Sequence, residues 1–398
     1  MRHVIFFVMC FLVVTRAFFV LHHYYNLRPN TFNRSNALQK YIPAKEVNEF
    51  HISTRSFPLR NHTFPCVTDD KPELVDKGII FIKLPKCAST TLAEIVRRLS
   101  IRYGGQMLGA GSQCKEHSVH APAFELPNLM QRKHNESFLF TFIREPTERF
   151  LSDFCYHKVS STRRTEVSID LGNFTKFANG RMIKFRGLGG FQFPYLFTDF
   201  AMVPPKTSEY IFWSPNQPHV IQNPAILKER VEYMLRDYDF IGISGFRMDE
   251  SLVVLSILLQ IPFKDLLYVH GRRVSGGYAH DIGGCFKIQQ CEYTDEMKNY
   301  FCSKEWRAKI AGDDLLYKAV NQSLDKTIEQ VGRELVERRL NQFRNFKNAI
   351  ESICGDADCR QCSNTGEDRG NEMTLHNPKC RLTYCIRAAE RMLAETEE

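Results

Sequence analysis

Three side chains have the types and spacing to hold phosphate: Lys86, Arg144 and Ser152. Lys86 lies in Ile79-Ile-Phe-Ile-Lys-Leu-Pro-Lys-Cys-Ala-Ser-Thr-Thr-Leu92, where an apolar run breaks into a loop bearing a lysine and the hydroxyls of Ser89, Thr90 and Thr91. A helix opening after such a loop offers unpaired backbone N–H groups and the positive end of its macrodipole to an anion. Lys86 adds a full positive charge. Arg144 and Ser152 belong to Arg144-Glu-Pro-Thr-Glu-Arg-Phe-Leu-Ser152. A guanidinium presents paired, planar donors that match phosphate oxygens, and a serine hydroxyl nearby adds another, so this segment suits a second phosphate. The plainer roles are a surface lysine beside a helix cap, a salt bridge from Arg144 to Glu145 or Glu148, and a helix-surface serine.

The elements that must position these groups follow from patterning. Ile79 to Ile82 reads as a short strand covered on both faces, as in a parallel sheet. Leu92, Ile95, Val96 and Leu99 recur at helical spacing, which predicts an amphipathic helix from near Thr90. Phe138 to Ile143 is a second apolar strand, and Pro146 with its acidic neighbours starts the next helix, placing Arg144 at the strand's carboxyl end and Ser152 about two turns into the helix. Ligands of α/β sheets bind at such carboxyl ends. A third strand, Tyr238 to Ile243, precedes an apolar helix from Met248 to Leu259, and Asp314 to Ile350 reads as a helical packing segment with Leu315, Leu316, Val320, Leu324, Ile328 and Val331 on one stripe. The alternation predicts an α/β fold around a central, mostly parallel sheet.

The loop is not an ordinary nucleotide-binding P-loop, which needs Gly-x-x-x-x-Gly-Lys-Ser/Thr, because it contains no glycine. Its order resembles the 5′-phosphosulfate-binding loop of the sulfotransferases, commonly Pro-Lys-Thr-Gly/Ala-Ser-Thr/Ser-Thr/Ser. Pro85, Lys86, Ala88, Ser89 and Thr90 match, and Cys87 replaces the usual Thr, losing a hydroxyl donor while keeping the backbone donors. Arg144 to Ser152 resembles the family's 3′-phosphate motif, an Arg-Asp/Glu-Pro followed by Ser. The Asp-Phe-Ile-Gly-Ile strand from Asp239 and the Asp249-Glu-Ser-Leu that follows resemble the late strand and helix of Golgi galactose 3-O-sulfotransferases and uronyl or heparan sulfate 2-O-sulfotransferases.

The resemblance implies a P-loop-like three-layer fold and the donor 3′-phosphoadenosine 5′-phosphosulfate, bound by Lys86, Cys87, Ala88, Ser89, Thr90, Thr91, Arg144 and Ser152. It implies no metal. Lys86 would stabilise charge on the leaving phosphate more in the transition state than in the ground state. A sugar hydroxyl needs a general base, for which histidine is suited. In the 2-O enzymes a paired-histidine segment before the second motif supplies it, and Glu116-His-Ser-Val-His-Ala-Pro-Ala-Phe124 lies there, with His120 the better match and His117 second. Exposed loop histidines are the plainer reading. The acceptor implied is a carbohydrate hydroxyl on a glycoprotein, glycolipid or glycosaminoglycan.

Acceptor contacts are open. Phe191 to Phe200 and Tyr210 to Trp213 are rich in aromatics, which stack on sugars but more often fill cores. Arg163, Arg164, Arg181 and Lys184 could face an acidic glycan, and Arg272 and Arg273 could clamp donor or acceptor. The net charge of +8 suits anionic ligands without choosing among them; no nucleic-acid partner is expected, and a homodimer is left open.

Val4 to Leu21 is apolar except for Thr15 and Arg16, marginal in length for a span of about 20 residues. It reads as an uncleaved signal anchor over residues 1–21, with a cleaved signal peptide as the alternative. Residues 22–70 read as a luminal stem, 71–350 as the catalytic domain and 351–398 as a Cys-rich region, giving a type II Golgi membrane protein with its catalytic domain in the lumen. Sequons at Asn33, Asn61, Asn135, Asn173 and Asn321 and a total of 13 cysteines fit the secretory pathway. Setting aside Cys10 and Cys87 leaves an odd number of cysteines, so at least one lies outside intramolecular pairs. Cys354, Cys359, Cys362, Cys380 and Cys385 read as disulfides, with a zinc site from Cys359, Cys362, Cys380 and Cys385 as the alternative. The rival functions are a nucleotide-dependent kinase, which needs the glycines this loop lacks, and a catalytically silent glycan-binding protein.

Overall fold

Aromatic and β-branched runs build the sheet. In the computed structural model β1 (Gly78–Ile82), β2 (His117–Val119), β3 (Ser137–Ile143) and β4 (Phe240–Ile243) pair in parallel in the order β2-β1-β3-β4. Every residue of β3 and β4 is buried, and so is all of β1 but Ile79. Consecutive burial, rather than alternation, means both faces are covered. Phe81, Phe140, Phe142 and Phe240 continue one another as stacked and edge-on rings with centroids 5.1–6.4 Å apart. Gly242 is required here: a Cβ at that position would lie 2.5 Å from the Phe142 ring.

The structure describes residues 52–59, 78–99, 117–119, 123, 126, 129–159, 169–184, 191–197, 224–268, 277–282, 285–290, 293–354 and 382–395, all within the unit Ile42–Glu398. The helices are α1 (Ser89–Leu99), α2 (Pro146–Phe154), α3 (Leu171–Lys184), α4 (Gln192–Tyr195), α5 (Pro224–Asp237), α6 (Met248–Leu258), α7 (Asp295–Phe301), α8 (Lys304–Lys309), α9 (Ala311–Val331), α10 (Arg333–Cys354) and α11 (Leu382–Glu395). A π-helical turn, Cys155–Val159, continues α2, and β5 (Gly277–Ile282) with β6 (Cys285–Gln290) forms a separate antiparallel hairpin.

Two elements differ from the sequence reading. β4 begins at Phe240 rather than Tyr238, because the Asp239 carboxylate accepts the Leu139 amide at 2.8 Å and closes the ladder with a side chain. The segment Asp314 to Ile350 is two helices, since Gly332 takes φ 99 between α9 and α10. Of the predicted stripe of α9, Leu315, Leu316, Val320, Leu324 and Ile328 are buried, and Val331 at the helix end is half-buried. Within the stretch read as stem, Phe57 is buried and its amide donates to Thr327 Oγ1 of α9, while Arg55 binds the carbonyls that end α5.

Cys354 of α10 is disulfide-bonded to Cys385 of α11, which removes Cys385 from the zinc set; Cys359, Cys362 and Cys380 lie outside the described residues. Cys302 is an exposed free thiol. Among the described residues no group of three His, Cys, Asp or Glu could hold a metal ion, and no helix is long and apolar enough to cross a membrane; residues 1–21 lie outside them. Of the sequons, Asn135 is exposed in a turn before β3, whereas Asn321 sits inside α9 with its amide bonded to Arg247 and to the Tyr317 carbonyl. Asn33 and Asn61 lie outside the described residues.

Candidate active site

The Lys86 loop leaves β1 at its carboxyl end and turns through two left-handed residues, Lys86 at φ 68 and Ala88 at φ 57. This conformation ordinarily belongs to glycine and costs other residues roughly 1–2 kcal/mol each. A loop without glycine thus adopts glycine geometry at two positions, one of them the position where the sulfotransferase motif reads Gly or Ala. The result is a sharp entry into α1, whose first helical bond runs from the Leu92 amide to the Ala88 carbonyl at 3.0 Å. The preceding amides, those of Ser89, Thr90 and Thr91, have no carbonyl four residues back within the helix and form the anion-facing end.

Lys86 is half-buried, with Nζ 3.8 Å from the centroid of the Tyr156 ring. Burial brings its pKa down from 10.5 to about 8; Asp153 opposes that shift, and Arg149 and Arg144 add to it. Cys87 points the other way. Its thiol is buried, pushed up to about 12 by burial, and donates to Gln192 Oε1 at 3.3 Å, so Cys87 can offer a ligand only its backbone.

Arg144 follows β3 directly. Its Nε donates to Glu148 at 3.1 Å, the salt bridge the sequence allowed, and its side chain is 30% exposed, so a phosphate arriving here competes with Glu148 for the guanidinium. Helix α2 itself has no open end to offer. The Glu145 carboxylate caps it, accepting the amides of Thr147 at 3.1 Å and Glu148 at 2.7 Å, with Pro146 at the first helical position. A second phosphate therefore depends on side chains, and Ser152, half-buried two turns along α2, is on the same helix.

Sequence reasoning missed the residues that lock the two loops together. Gln192, fully buried in α4, accepts the Arg144 amide at 2.8 Å and donates to the Arg144 carbonyl at 2.7 Å while its oxygen also receives the Cys87 thiol. One carboxamide thereby joins the Lys86 loop to the Arg144 loop. Asp313 of α9 holds α4 in turn, accepting the amides of Phe191 at 2.8 Å and Phe193 at 2.7 Å; burial pushes its carboxyl up to about 6, against those same donors. Arg149 of α2 is fully buried, donates from Nε to the Pro85 carbonyl at 3.3 Å and from Nη2 to Asp153 at 3.1 Å, and stacks 3.6 Å from the Phe191 ring. Its Nη1 has no hydrogen-bond partner among the described residues. Buried cationic donors beside a helix end suit an anionic ligand, and the residues present fit the phosphosulfate donor. The signal for Gln192 was its single polar side chain inside an aromatic run.

The histidines separate by register. His117 opens β2 opposite Ile80, while Val119, the last residue of β2, pairs with Ile82 at the edge where β1 gives way to the Lys86 loop. The residue after Val119 is His120, which lies outside the described residues. A third histidine was not foreseen: His157, on the π-helical turn, has Nε2 3.3 Å from Asp153 Oδ1 and packs edge-on against Tyr156 at 4.9 Å. The carboxylate that neutralises Arg149 also orients this imidazole.

The aromatic run from Phe191 is core: Phe191, Phe193, Tyr195 and Phe197 are buried, so none of them offers a face to a glycan. Tyr210 to Trp213, Arg163, Arg164, Arg272 and Arg273 lie outside the described residues, and Arg181 and Lys184 are placed on α3 by backbone alone.

No curated protein and no solved structure matches the chain. Residues 75–195, which carry β1, the Lys86 loop, β3, Arg144, Ser152 and Gln192, match the family model described as "Sulfotransferase family", and the match supports a sulfotransferase activity for the chain.

Proposed function

We propose that the chain transfers a sulfuryl group from 3′-phosphoadenosine 5′-phosphosulfate to a hydroxyl of a carbohydrate acceptor, in the secretory lumen, from a type II membrane anchor in residues 1–21. One observation carries the reading: the Lys86 loop and the Arg144 loop open side by side from adjacent parallel strands, with Ile82 paired to Thr141, and a single buried carboxamide ties them together. Neighbouring strands lie about 4.8 Å apart, which suits two phosphates carried on one ribose. The proposed donor, with a phosphate at the 3′ and at the 5′ position of its ribose, would span the two loops.

Lys86 donates to the bridging oxygen as the bond from sulfur to the leaving phosphate breaks, and the α1 amides take up the charge that develops on that phosphate. Arg144 and Ser152 hold the 3′-phosphate. The acceptor oxygen bonds to sulfur in line, and its proton passes to a histidine, His120 first and His117 second on the family pattern. His157 is the alternative whose orienting carboxylate, Asp153, is on hand. Positioning and fixed charge supply most of the rate, as in phosphoryl transfer. The resemblance to galactose 3-O- and uronyl 2-O-sulfotransferases supports a glycan rather than a nucleotide acceptor.

The test is transfer of labelled sulfate from the donor to a panel of glycans by the full chain in detergent, with Lys86→Ala, Arg144→Ala and Asn variants of the three histidines alongside. Loss of transfer in Lys86→Ala is expected, beyond any loss of donor binding. Equal activity of wild type and Lys86→Ala would end the proposal, and ATP turnover dependent on magnesium would replace it with the kinase.

A further inference from the structure

Apart from sulfuryl transfer, the fold sorts the sequons. A glycan on Asn-x-Ser/Thr is bulky and polar, so its asparagine must stand in water and take no part in the packing around it. Attachment joins the asparagine Nδ2 to C1 of an oligosaccharide while the bond from C1 to a lipid diphosphate breaks. The diphosphate leaves with the electron pair, and the carboxamide gives up one of its two N–H protons.

Asn135 meets these conditions. Lys133-His-Asn-Glu136 is a β-turn, closed by the Glu136 amide on the Lys133 carbonyl at 2.8 Å. Ser137, the third residue of the sequon, is buried at the start of β3, and its hydroxyl donates to the same carbonyl at 2.9 Å. The Glu136 carbonyl accepts the Gly78 amide at 2.8 Å, which ties the turn to β1. These bonds fix the turn without the Asn135 side chain, and Lys133, His134 and Asn135 are exposed.

Asn321 and Asn173 are committed to the fold instead. Asn321 is half-buried in α9, where its Nδ2 donates to the Tyr317 carbonyl at 3.0 Å and its Oδ1 accepts Arg247 Nη1 at 3.0 Å. The same guanidinium binds Asp325 at 2.7 Å, so a glycan on Asn321 would crowd the clamp between α9 and the turn after β4. Asn173 is half-buried in the first turn of α3, where its Nδ2 donates to Asp170 Oδ2 at 2.8 Å and its amide to Asp170 Oδ1 at 2.7 Å. The next residue, Phe174, is buried against Phe154 and Trp306.

The polarity of the sheet sets where a glycan would stand. Asn135 precedes the amino end of β3, and Arg144 follows its carboxyl end. At about 3.3 Å per residue this strand spans about 20 Å. Attachment at Asn135 therefore leaves open the carboxyl edge, where the Lys86 and Arg144 loops lie.

We infer that Asn135 is an N-glycosylation site of the folded chain and that Asn173 and Asn321 are unmodified in it. This inference rests on the luminal placement in the proposed function, because the lipid-linked oligosaccharide is used there. It is tested by expressing the full chain in animal cells, extracting the folded fraction in detergent and mapping its peptides after enzymatic deglycosylation in heavy-oxygen water. That treatment turns each glycosylated asparagine into a labelled aspartate. The label is expected at Asn135 and not at Asn173 or Asn321, and Asn135→Gln is expected to migrate faster than wild type by one glycan. An unlabelled Asn135 in a chain labelled at Asn33 or Asn61 overturns the inference and leaves the luminal placement standing. Label at Asn321 or Asn173 in folded protein overturns the sorting by the fold, and equal migration of wild type and Asn135→Gln overturns the assignment to Asn135. A chain labelled nowhere overturns the luminal placement itself, and the inference with it.

Discussion

At the residue scale, Lys86 is held between opposing forces, and its titration should be visible in the rate. Burial favours the neutral amine, Asp153 favours the ammonium, and the outcome is a pKa near 8 instead of 10.5. The mechanism needs the ammonium, so kcat/KM, which reports the free enzyme, should fall as pH rises through about 8. An anion bound beside Lys86 favours its charged form, so the corresponding limb in kcat should lie at higher pH. Arginine stays protonated throughout this range, and Lys86→Arg, whatever its absolute rate, should lose the alkaline limb. A limb at the same pH in wild type and Lys86→Arg would assign it to another group. The Tyr156 ring under Nζ supports the same picture, since an aromatic face stabilises the cation without offering an anion that the donor must displace.

At the scale of elements, the site is a joint between two strand-loop-helix units, and α4 is the fastener. Replacing Gln192 by Leu keeps the volume but removes the acceptor for the Arg144 amide and the donor for its carbonyl. Leaving such groups unpaired costs about 1–3 kcal/mol, so Gln192→Leu should lower unfolding stability by an amount of that order. It should also weaken binding of adenosine 3′,5′-bisphosphate at least tenfold, because both phosphate loops lose their common tether. Denaturant unfolding and calorimetry on the same variant check both; a destabilised variant that binds as tightly as wild type would show the loops to be independent. The strands and helices around this joint were readable from the sequence because contiguous apolar runs and helical stripes are local patterns, and so were the places of Lys86 after β1, Arg144 after β3 and Ser152 on α2. Gln192 was not, because its role is set by Asp313, which lies 120 residues from Phe193 in the chain. The split of the long helical segment at Gly332 and the late start of β4, after Asp239, also turn on single residues within runs whose average pattern points the other way.

At the scale of the whole molecule, residues 75–195 contain the Lys86 and Arg144 loops, yet they are held by parts of the chain far outside that segment. Asp313 of α9 fixes α4, and Trp306 of α8 donates to Thr147 of α2 at 3.0 Å while packing against Phe150 and Phe174. Behind α6, the buried Lys347 of α10 binds both carboxylate oxygens of Asp249 at 3.0 Å, with the Tyr268 hydroxyl alongside. The last layer is α11, joined to α10 by Cys354–Cys385 with a sequence separation of 31 and to the turn after α6 by Lys264–Glu390 at 2.7 Å. Closing a loop of that length corresponds to roughly 3–4 kcal/mol on the chain-entropy account. Both cysteines are buried, so alanine is the substitution that adds no unsatisfied polar group. The double variant Cys354→Ala, Cys385→Ala should therefore unfold at clearly lower denaturant than wild type, and wild type treated with reductant should move toward it. Donor affinity should change little in the native range, because the pins on the phosphate loops come from α4, α8 and α9 rather than from α10 and α11. If the double variant unfolds at the wild-type denaturant concentration, the C-terminal pair is an ornament on the fold; if it retains stability but loses the bisphosphate, α11 reaches the site by a route these contacts do not contain.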